Sequence, residues 1–407
     1  MGPHPFEGEL FSSWLCRLAW GNGTKLLPFV THHLLLPPQF LNCDIDRTVA
    51  DSVVIRVGAG CGVAKFSALA TKLSVFDGVL WEQLLQKGPC DWVLMHIRGA
   101  RNPRQRAGYS LQFCRRCLAE DVEPHFRCIW RLALSAICPS HGIYLADECP
   151  RCHSPVVPTV CDRGQRLLPL ETPLARCYRC GWDLREPIAD DLVAADENLV
   201  FQQCLLDALT QGHSGHLPGG ACFSLLLFRG LKHLLQLLGG EGRFKRVREL
   251  MFLESGHLDL PLQDGPYFCL ETLRVGDRAL MLSLLRRVLE GWPDSFMDTC
   301  RIARVSSSYL VNYRDGLPYW IYQPIRDQLF DKPYSPSPLE RQEARQYLIR
   351  NGVPASASAI RRLLGMWTAS DSWKLEHPPW NRRRPFVVFR RRLHQLTGRN
   401  ARSAINS

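Results

Sequence analysis

Several signatures of catalysis are missing from these 407 residues. No Gly-Lys dipeptide occurs, so there is no phosphate-cradling loop of the P-loop type. Neither a His-Glu-x-x-His pair for a catalytic zinc nor a Gly-x-Ser-x-Gly nucleophile turn is present. Long apolar runs are scarce as well. One long uncharged stretch, Leu26 to Cys43, holds two His and three Pro, which a membrane-spanning helix rarely carries. The opening Met1-Gly2-Pro3-His4-Pro5-Phe6 lacks the apolar segment of a secretion signal. It also lacks the Ser or Thr that a myristoylation site requires at the sixth position. The expectation is a cytoplasmic protein with no membrane partner, and nothing nominates a catalytic residue.

What is abundant is cysteine. There are 17 in a chain of 46% hydrophobic and 22% charged residues. Without a secretion signal, metal binding explains so many thiols better than disulfides do. Seven of them, with one histidine, fall into four pairs, each with two intervening residues: Cys114/Cys117, Cys138/His141, Cys149/Cys152 and Cys177/Cys180. That spacing lets two ligands on one tight turn reach the same ion, and Zn²⁺ takes four such S/N ligands in a tetrahedron. Four pairs make two complete sites, so the cofactor expected is two structural Zn²⁺ ions.

Sequential pairing gives one Cys₃His set, Cys114, Cys117, Cys138 and His141. It leaves one Cys₄ set, Cys149, Cys152, Cys177 and Cys180. A cross-braced arrangement stays open at this level, and His125, Cys128, His153 and Cys161 are spare donors. Cys149-Pro-Arg-Cys152-His153 also fits a haem-attachment pattern, but that would leave the other three pairs unexplained. The solitary cysteines, such as Cys16, Cys204, Cys269 and Cys300, are expected to be small buried hydrophobes.

The formal net charge is +11, and it is concentrated. The segment 381–407 holds eight Arg and no acid, leaving +3 for the other 380 residues. Such a tail favours polyanions through counterion release. Arg382, Arg383, Arg384, Arg390, Arg391 and Arg392 are candidate phosphate contacts.

The rest reads as mainly α and multidomain, with a central zinc-ribbon or zinc-knuckle region. Four segments are expected: a helical domain over 1–105, the double zinc-finger region over 106–185, a second helical domain over 186–330, and a helix-turn-helix-like segment with the Arg-rich tail over 331–407. In the first, Leu10, Trp14 and Leu18 repeat at helical spacing, and Gly21-Asn22-Gly23 stops the helix. Trp14 is expected in the core. Glu9 and Arg17 lie off that apolar face and are expected to tolerate change without opening a cavity, free to present a docking surface. Residues 67–85 continue in helical pattern. Val53 to Val63 turns Gly-rich like a dinucleotide fingerprint, but the third glycine falls one place early and no βαβ alternation follows. A Gly-rich connection within a helical domain is the better reading.

Phe126 to Leu134 reads as a short core element. Phe223 to Leu238 reads as a buried helix, and Asp277 to Glu290 as a helix with dipole-matched ends. Finally, Leu339–Arg350, a Gly-containing turn and Ser356–Met366 form a helix-turn-helix pattern, with Arg361 and Arg362 as candidate nucleic-acid contacts on the second helix.

Phe113-Cys-Arg-Arg-Cys-Leu-Ala-Glu-Asp121, Trp130-Arg131, Cys138-Pro-Ser-His-Gly142, Leu145 and Cys149-Pro-Arg-Cys152 together resemble the signature of the TniQ/TnsD family. Its usual pattern is CPxCLxxD, an intervening Trp-Arg, CPxHxxxL and CPxC. The opening Glu9-Leu-Phe-Ser-Ser-Trp-Leu-Cys-Arg-Leu-Ala19 is similar to the family's N-terminal helix, and Gly291-Trp-Pro-Asp-Ser-Phe296 to a stretch in longer members. The likeness is good over 8–185 and weak over 190–300. Arg115 stands where the family usually has Pro.

The resemblance implies a non-catalytic target-selection subunit of a transposon. Its partners would be a target DNA or RNA-guided target-recognition complex, an AAA+ regulator ATPase and the transposase complex; apart from the resemblance, a homodimer is a further expectation. Two other functions compete with the adaptor role. One is a sequence-specific DNA-binding protein that reads the insertion site itself. The other, disfavoured because both metal sites are coordinatively full, is a zinc-dependent hydrolase or nuclease.

Overall fold

Every residue from Phe11 to Ala19 is buried, the polar ones included. The helix Phe11–Gly21 that contains them has no side-chain N-cap, so its first amides must find partners elsewhere. They do so through the fold: Phe11 N donates to Thr71 O at 2.8 Å, and Ser12 N to Asp46 Oδ1 at 2.7 Å. At the other end Asn22 Nδ2 donates to Leu18 O at 2.7 Å. Gly23 then takes φ +65°, a left-handed conformation that glycine enters without a Cβ clash.

The computed structural model describes residues 2–86, 90–95, 110–162, 173–188, 192–215, 222–240, 243–252, 268–311, 317–329 and 336–364. Among these the chain is mainly helical, with one two-stranded ribbon, His213–Ser214 against Cys222–Phe223. No described helix is long and apolar enough to cross a membrane. Met1–Leu329 form one compact unit and Phe330–Ser407 a second.

In the first unit a single hydrophobic cluster takes in Leu10, Trp14 and Val54 together with Phe113, Phe126, Cys149 and Leu184. The expected borders at 105/106 and 185/186 both fall inside this unit. Polar contacts join its parts over long separations. Arg131 is 3% exposed and binds Asp44 Oδ2 at 2.7 Å and Asp46 Oδ2 at 3.1 Å. Arg278 Nη2 donates to Gln112 Oε1 at 2.6 Å, and Val275 N to Asp147 Oδ2 at 2.7 Å. Those last two bonds tie the helix Val275–Glu290 to the cysteine-rich region.

Two readings of the first hundred residues change. The stretch 67–85 is not one helix: Lys65–Leu69 is a short helix and Leu73–Phe76 a single 3₁₀ turn. The Asp77 carboxylate accepts from Trp81 Nε1 at 2.6 Å and Leu84 N at 2.9 Å, offering the backbone a turn in place of a helix. The Gly-rich run is itself a helix, Asp51–Gly60. There Gly58 serves packing, since a Cβ at that position would come within 2.8 Å of the Ala68 Cβ.

Farther on, Ser224–Leu238 and Val275–Glu290 match the expected helices within a few residues. Lys232 on the former is buried and binds Glu271 Oε2 at 2.6 Å.

The second unit contains the helices Pro338–Arg350 and Ala357–Leu363. Ser337 and Glu340 make a reciprocal capping box at the start of the first. Gly352, at φ +69°, and Pro354 separate the two, and Ser356 caps the second through Ala359 N at 3.1 Å.

Candidate metal centres

Three of the four ligand pairs sit on turns of one design. The backbone N–H of the first ligand donates to the carbonyl five residues on: Cys138 to Ile143 at 2.8 Å, Cys149 to Ser154 at 2.9 Å and Cys177 to Trp182 at 2.8 Å. Its carbonyl accepts from the residue after the second ligand, Gly142, His153 or Gly181, each at 2.9 Å. Those three residues have φ of +63°, +53° and +73°, which turns the chain back so that both side chains point inward. Glycine suits two of the positions, and His153 occupies the third.

The pair Cys114/Cys117 is different. Cys114 is the N-cap of the helix Arg115–Glu120, and its Sγ accepts from Cys117 N at 3.5 Å. Arg115 is thus the first helical residue, a position that suits proline equally well, so its departure from the family pattern is conservative there.

The eight donors gather into two groups, Cys114, Cys117, Cys138 and His141, and Cys149, Cys152, Cys177 and Cys180, with ligand atoms within 4.8 Å of one another in each. The pairs therefore combine sequentially. In the first group Cys117 Sγ lies 3.6 Å from Cys138 Sγ, and His141 Nδ1 lies 3.4–3.5 Å from all three sulfurs. In the second, Cys149 to Cys180 and Cys152 to Cys177 are 3.6 Å apart. A tetrahedral ion with Zn–S near 2.3 Å and Zn–N near 2.0–2.1 Å would place sulfurs about 3.8 Å apart and sulfur to nitrogen about 3.6 Å apart. Both groups fit an ion of that size, and each could hold one.

Electrostatics calls for the cation. Hydrogen bonds from the Cys114 and then the Cys117 thiol hold Cys138 down to about 2, while Cys117, bonded to Cys114 and Cys138, is pushed well up. Thiols packed this closely oppose one another's ionisation. A bound divalent ion would let all three ionise.

The imidazole is oriented from behind. His141 Nε2 lies 2.9 Å from Glu120 Oε2, so Nε2–H donates to the carboxylate and Nδ1 is left bare towards the sulfurs, the usual outer-sphere arrangement of a metal-bound histidine. Glu120 was not foreseen, because such carboxylates have no fixed sequence spacing from the histidine they orient.

The spare donors are engaged elsewhere. His125 Nδ1 lies 3.1 Å from Glu123 O, and Cys128 Sγ 3.5 Å from Glu9 O. His153 Nδ1 lies 2.9 Å from Glu148 Oε1, and Cys161 Sγ 3.3 Å from Cys16 Sγ. Cys16 and Cys300 are buried as expected, whereas Cys204 and Cys269 are half-buried.

One expectation is overturned. Trp14 is in the core, but so are Glu9 and Arg17, at 0% and 2% exposure. Arg17 binds Glu9 Oε2 at 2.7 Å and Glu123 Oε2 at 2.6 Å, and its guanidinium lies 4.1 Å from the centre of the Phe6 ring. The face that looks polar in sequence is covered by residues both near and far along the chain, Phe6 and Asp46 as well as Glu123, so neither residue offers a docking surface. Ser13 Oγ also donates to Glu9, and Ser12 Oγ to Asp46, both at 2.8 Å.

Arg361 and Arg362 are exposed on the helix Ala357–Leu363. Arg382, Arg383, Arg384, Arg390, Arg391 and Arg392 lie outside the described residues, as does Met366.

Comparison with known proteins returns one family: the model described as TniQ matches residues 1–145. No curated protein matches the chain.

Proposed function

We propose, from the match of the TniQ model to residues 1–145, that the chain is a target-selection adaptor of a transposon. In this reading it links a target DNA or target-recognition complex to an AAA+ regulator ATPase and the transposase. The family match carries the reading. The chemistry around it agrees: the matched residues include a complete four-donor group locked into the core, which suits a rigid scaffold.

Two structural Zn²⁺ ions are the cofactors in this proposal. Cys114, Cys117, Cys138 and His141 would hold one, and Cys149, Cys152, Cys177 and Cys180 the other. Bound there, the ion supplies cross-linking of distant turns. A hydrolytic zinc keeps one position open for water, and a four-donor protein set leaves none.

A second reading, direct recognition of the insertion site, draws on the exposed Arg361 and Arg362 after a short Gly-containing turn. Together with the arginines of 381–407 they would contact phosphates. If about six of the eight tail arginines do so, log K falls against log[salt] with a slope near −5. Deleting 381–407 then flattens it.

A pull-down from cells expressing the neighbouring genes tests the adaptor role. Co-purification of the ATPase supports it, and its absence under conditions that retain the folded, metal-loaded chain overturns it. A gel shift separates the two readings. An adaptor binds DNA weakly and without preference, while a reader discriminates its site by about 4–10 kcal/mol.

A further inference from the structure

Two thiols outside both metal groups meet in the core. Cys16 Sγ, on the helix Phe11–Gly21, lies 3.3 Å from Cys161 Sγ, and the two residues are 145 positions apart. Their exposures are 2% and 4%. Cys161 follows the 3₁₀ turn Pro158–Val160, between the two ligand pairs of the Cys₄ group. The turn is fixed where it touches the helix: Cys161 N donates to Pro158 O at 3.1 Å, Cys16 Sγ lies 3.0 Å from the same oxygen, and Leu26 N donates to Asp162 Oδ2 at 2.6 Å. A disulfide needs its sulfurs about 2.0 Å apart, so closing the gap takes about 1.3 Å, shared between two side chains.

We propose that Cys16 and Cys161 are a disulfide-forming pair, a modification site that clamps the first helix to the segment between the Cys₄ turns. The oxidant class is a small-molecule disulfide. One protein thiolate attacks it and displaces one small thiolate, leaving a mixed disulfide. The second protein thiolate then attacks the protein sulfur of that bond and displaces the other small thiolate. Two protein thiols give up two electrons and two protons, and one small disulfide becomes two small thiols. Burial pushes the Cys16 thiol up, so the reaction runs through brief local opening and is slow in both directions. The bond closes a very long loop, the case in which a cross-link restricts the unfolded chain most. The pair stands on its own geometry and does not depend on the target-selection role.

The test uses the full, metal-loaded chain. It is incubated with graded ratios of glutathione disulfide to glutathione, quenched by alkylation, and mapped by non-reducing peptide mass spectrometry with metal content measured alongside. The expected result is a Cys16–Cys161 linked peptide, lighter by two hydrogens than its free parts, with both metal equivalents retained. Oxidation should also lengthen survival against protease about tenfold, reversibly with dithiothreitol and not in Cys161→Ser. The wild-type map decides even if a variant misfolds. If both thiols stay alkylatable at every ratio that leaves the metals bound, or if Cys16 links to a ligand cysteine instead, the proposal fails.

Discussion

The Cys₃His and Cys₄ groups share one turn design in three of their four ligand pairs, yet they are built into the molecule differently. In the first, all three cysteines are buried, between 0% and 8% exposed, and its ligands are contiguous with Phe113, Leu118 and Phe126 of the hydrophobic cluster. Phe113 exchanges backbone hydrogen bonds with Ala146 at 2.8 Å, and Phe126 O receives Leu10 N. The second group has Cys149 and Cys177 buried but Cys152 and Cys180 half-exposed. Beside it the Trp182 carbonyl accepts from Cys177 N, and the Arg151 guanidinium lies 5.8 Å from the Trp182 ring centre. It also lies beyond the residues of the TniQ match. One donor set therefore lies almost wholly inside the core that organises the first helix, and the other joins the same cluster through Cys149 and Cys177 while Cys152 and Cys180 reach its edge.

The largest expected effect comes from the first group. Apparent zinc binding of about 10–16 kcal/mol rivals or exceeds the roughly 5–15 kcal/mol of net stability of a domain. Cys138→Ser should abolish one metal equivalent and the cooperative melt of the unit together, read by metal analysis and circular dichroism. A cooperative melt surviving in that variant would place the two groups on an equal footing.

Next is Arg17→Glu, which would put three carboxylates where one guanidinium now holds two. Breaking such a buried pair costs about 3–5 kcal/mol, so the melting midpoint should drop sharply. A surface residue would leave it unchanged.

Cys152→Ser should also lose one metal equivalent, but only about 1–2 kcal/mol of the helical unit's stability. A graded chelator should correspondingly empty the Cys₄ group before the Cys₃His group. Simultaneous release would erase the distinction between core and periphery.

A pH dependence is expected on the core side as well. Burial pushes the Glu9 carboxyl up from 4.5 to about 7, against the pull of Arg17, whose charge Glu123 already shares. Burial likewise pushes Asp46 from 3.8 to about 6, beside Arg131 and Asp44. A carboxyl with a raised folded-state pKa binds more protons folded than unfolded, so its contribution is present at low pH and lost as pH rises through the folded value. Melting midpoints should therefore fall between pH 4.5 and about 7 from the Glu9 term, and Glu9→Gln should flatten that part of the curve. An unchanged profile would mean that Arg17 keeps Glu9 ionised throughout.

The ligand turns were legible because their information is local. Two donors with two residues between them need only a left-handed residue after the second, and Gly142 and Gly181 supply it within five positions. Helix ends were legible for the same reason, as at Gly21 to Gly23. The polar face of the first helix was misread because amphipathic periodicity assumes that water lies opposite the core. Here Asp46, Glu123 and Thr71, from 34 to 106 residues away, take water's place. The stretch 67–85 failed for a related reason: Asp77 organises a turn through side-chain bonds that hydropathy does not register.

By itself the sequence picked out the eight side chains that come together in two groups, because thiols and an imidazole at such short, repeated spacing stand apart from the rest of the chain. It also determined the helical class and the TniQ signature. Only the tertiary structure decided which pairs share a site, that Glu120 orients His141, that Arg17 and Arg131 each bridge two acids inside the core, and that Cys16 meets Cys161. Those outcomes depend on desolvation and on contacts between segments far apart in the chain, and neither is written in local spacing.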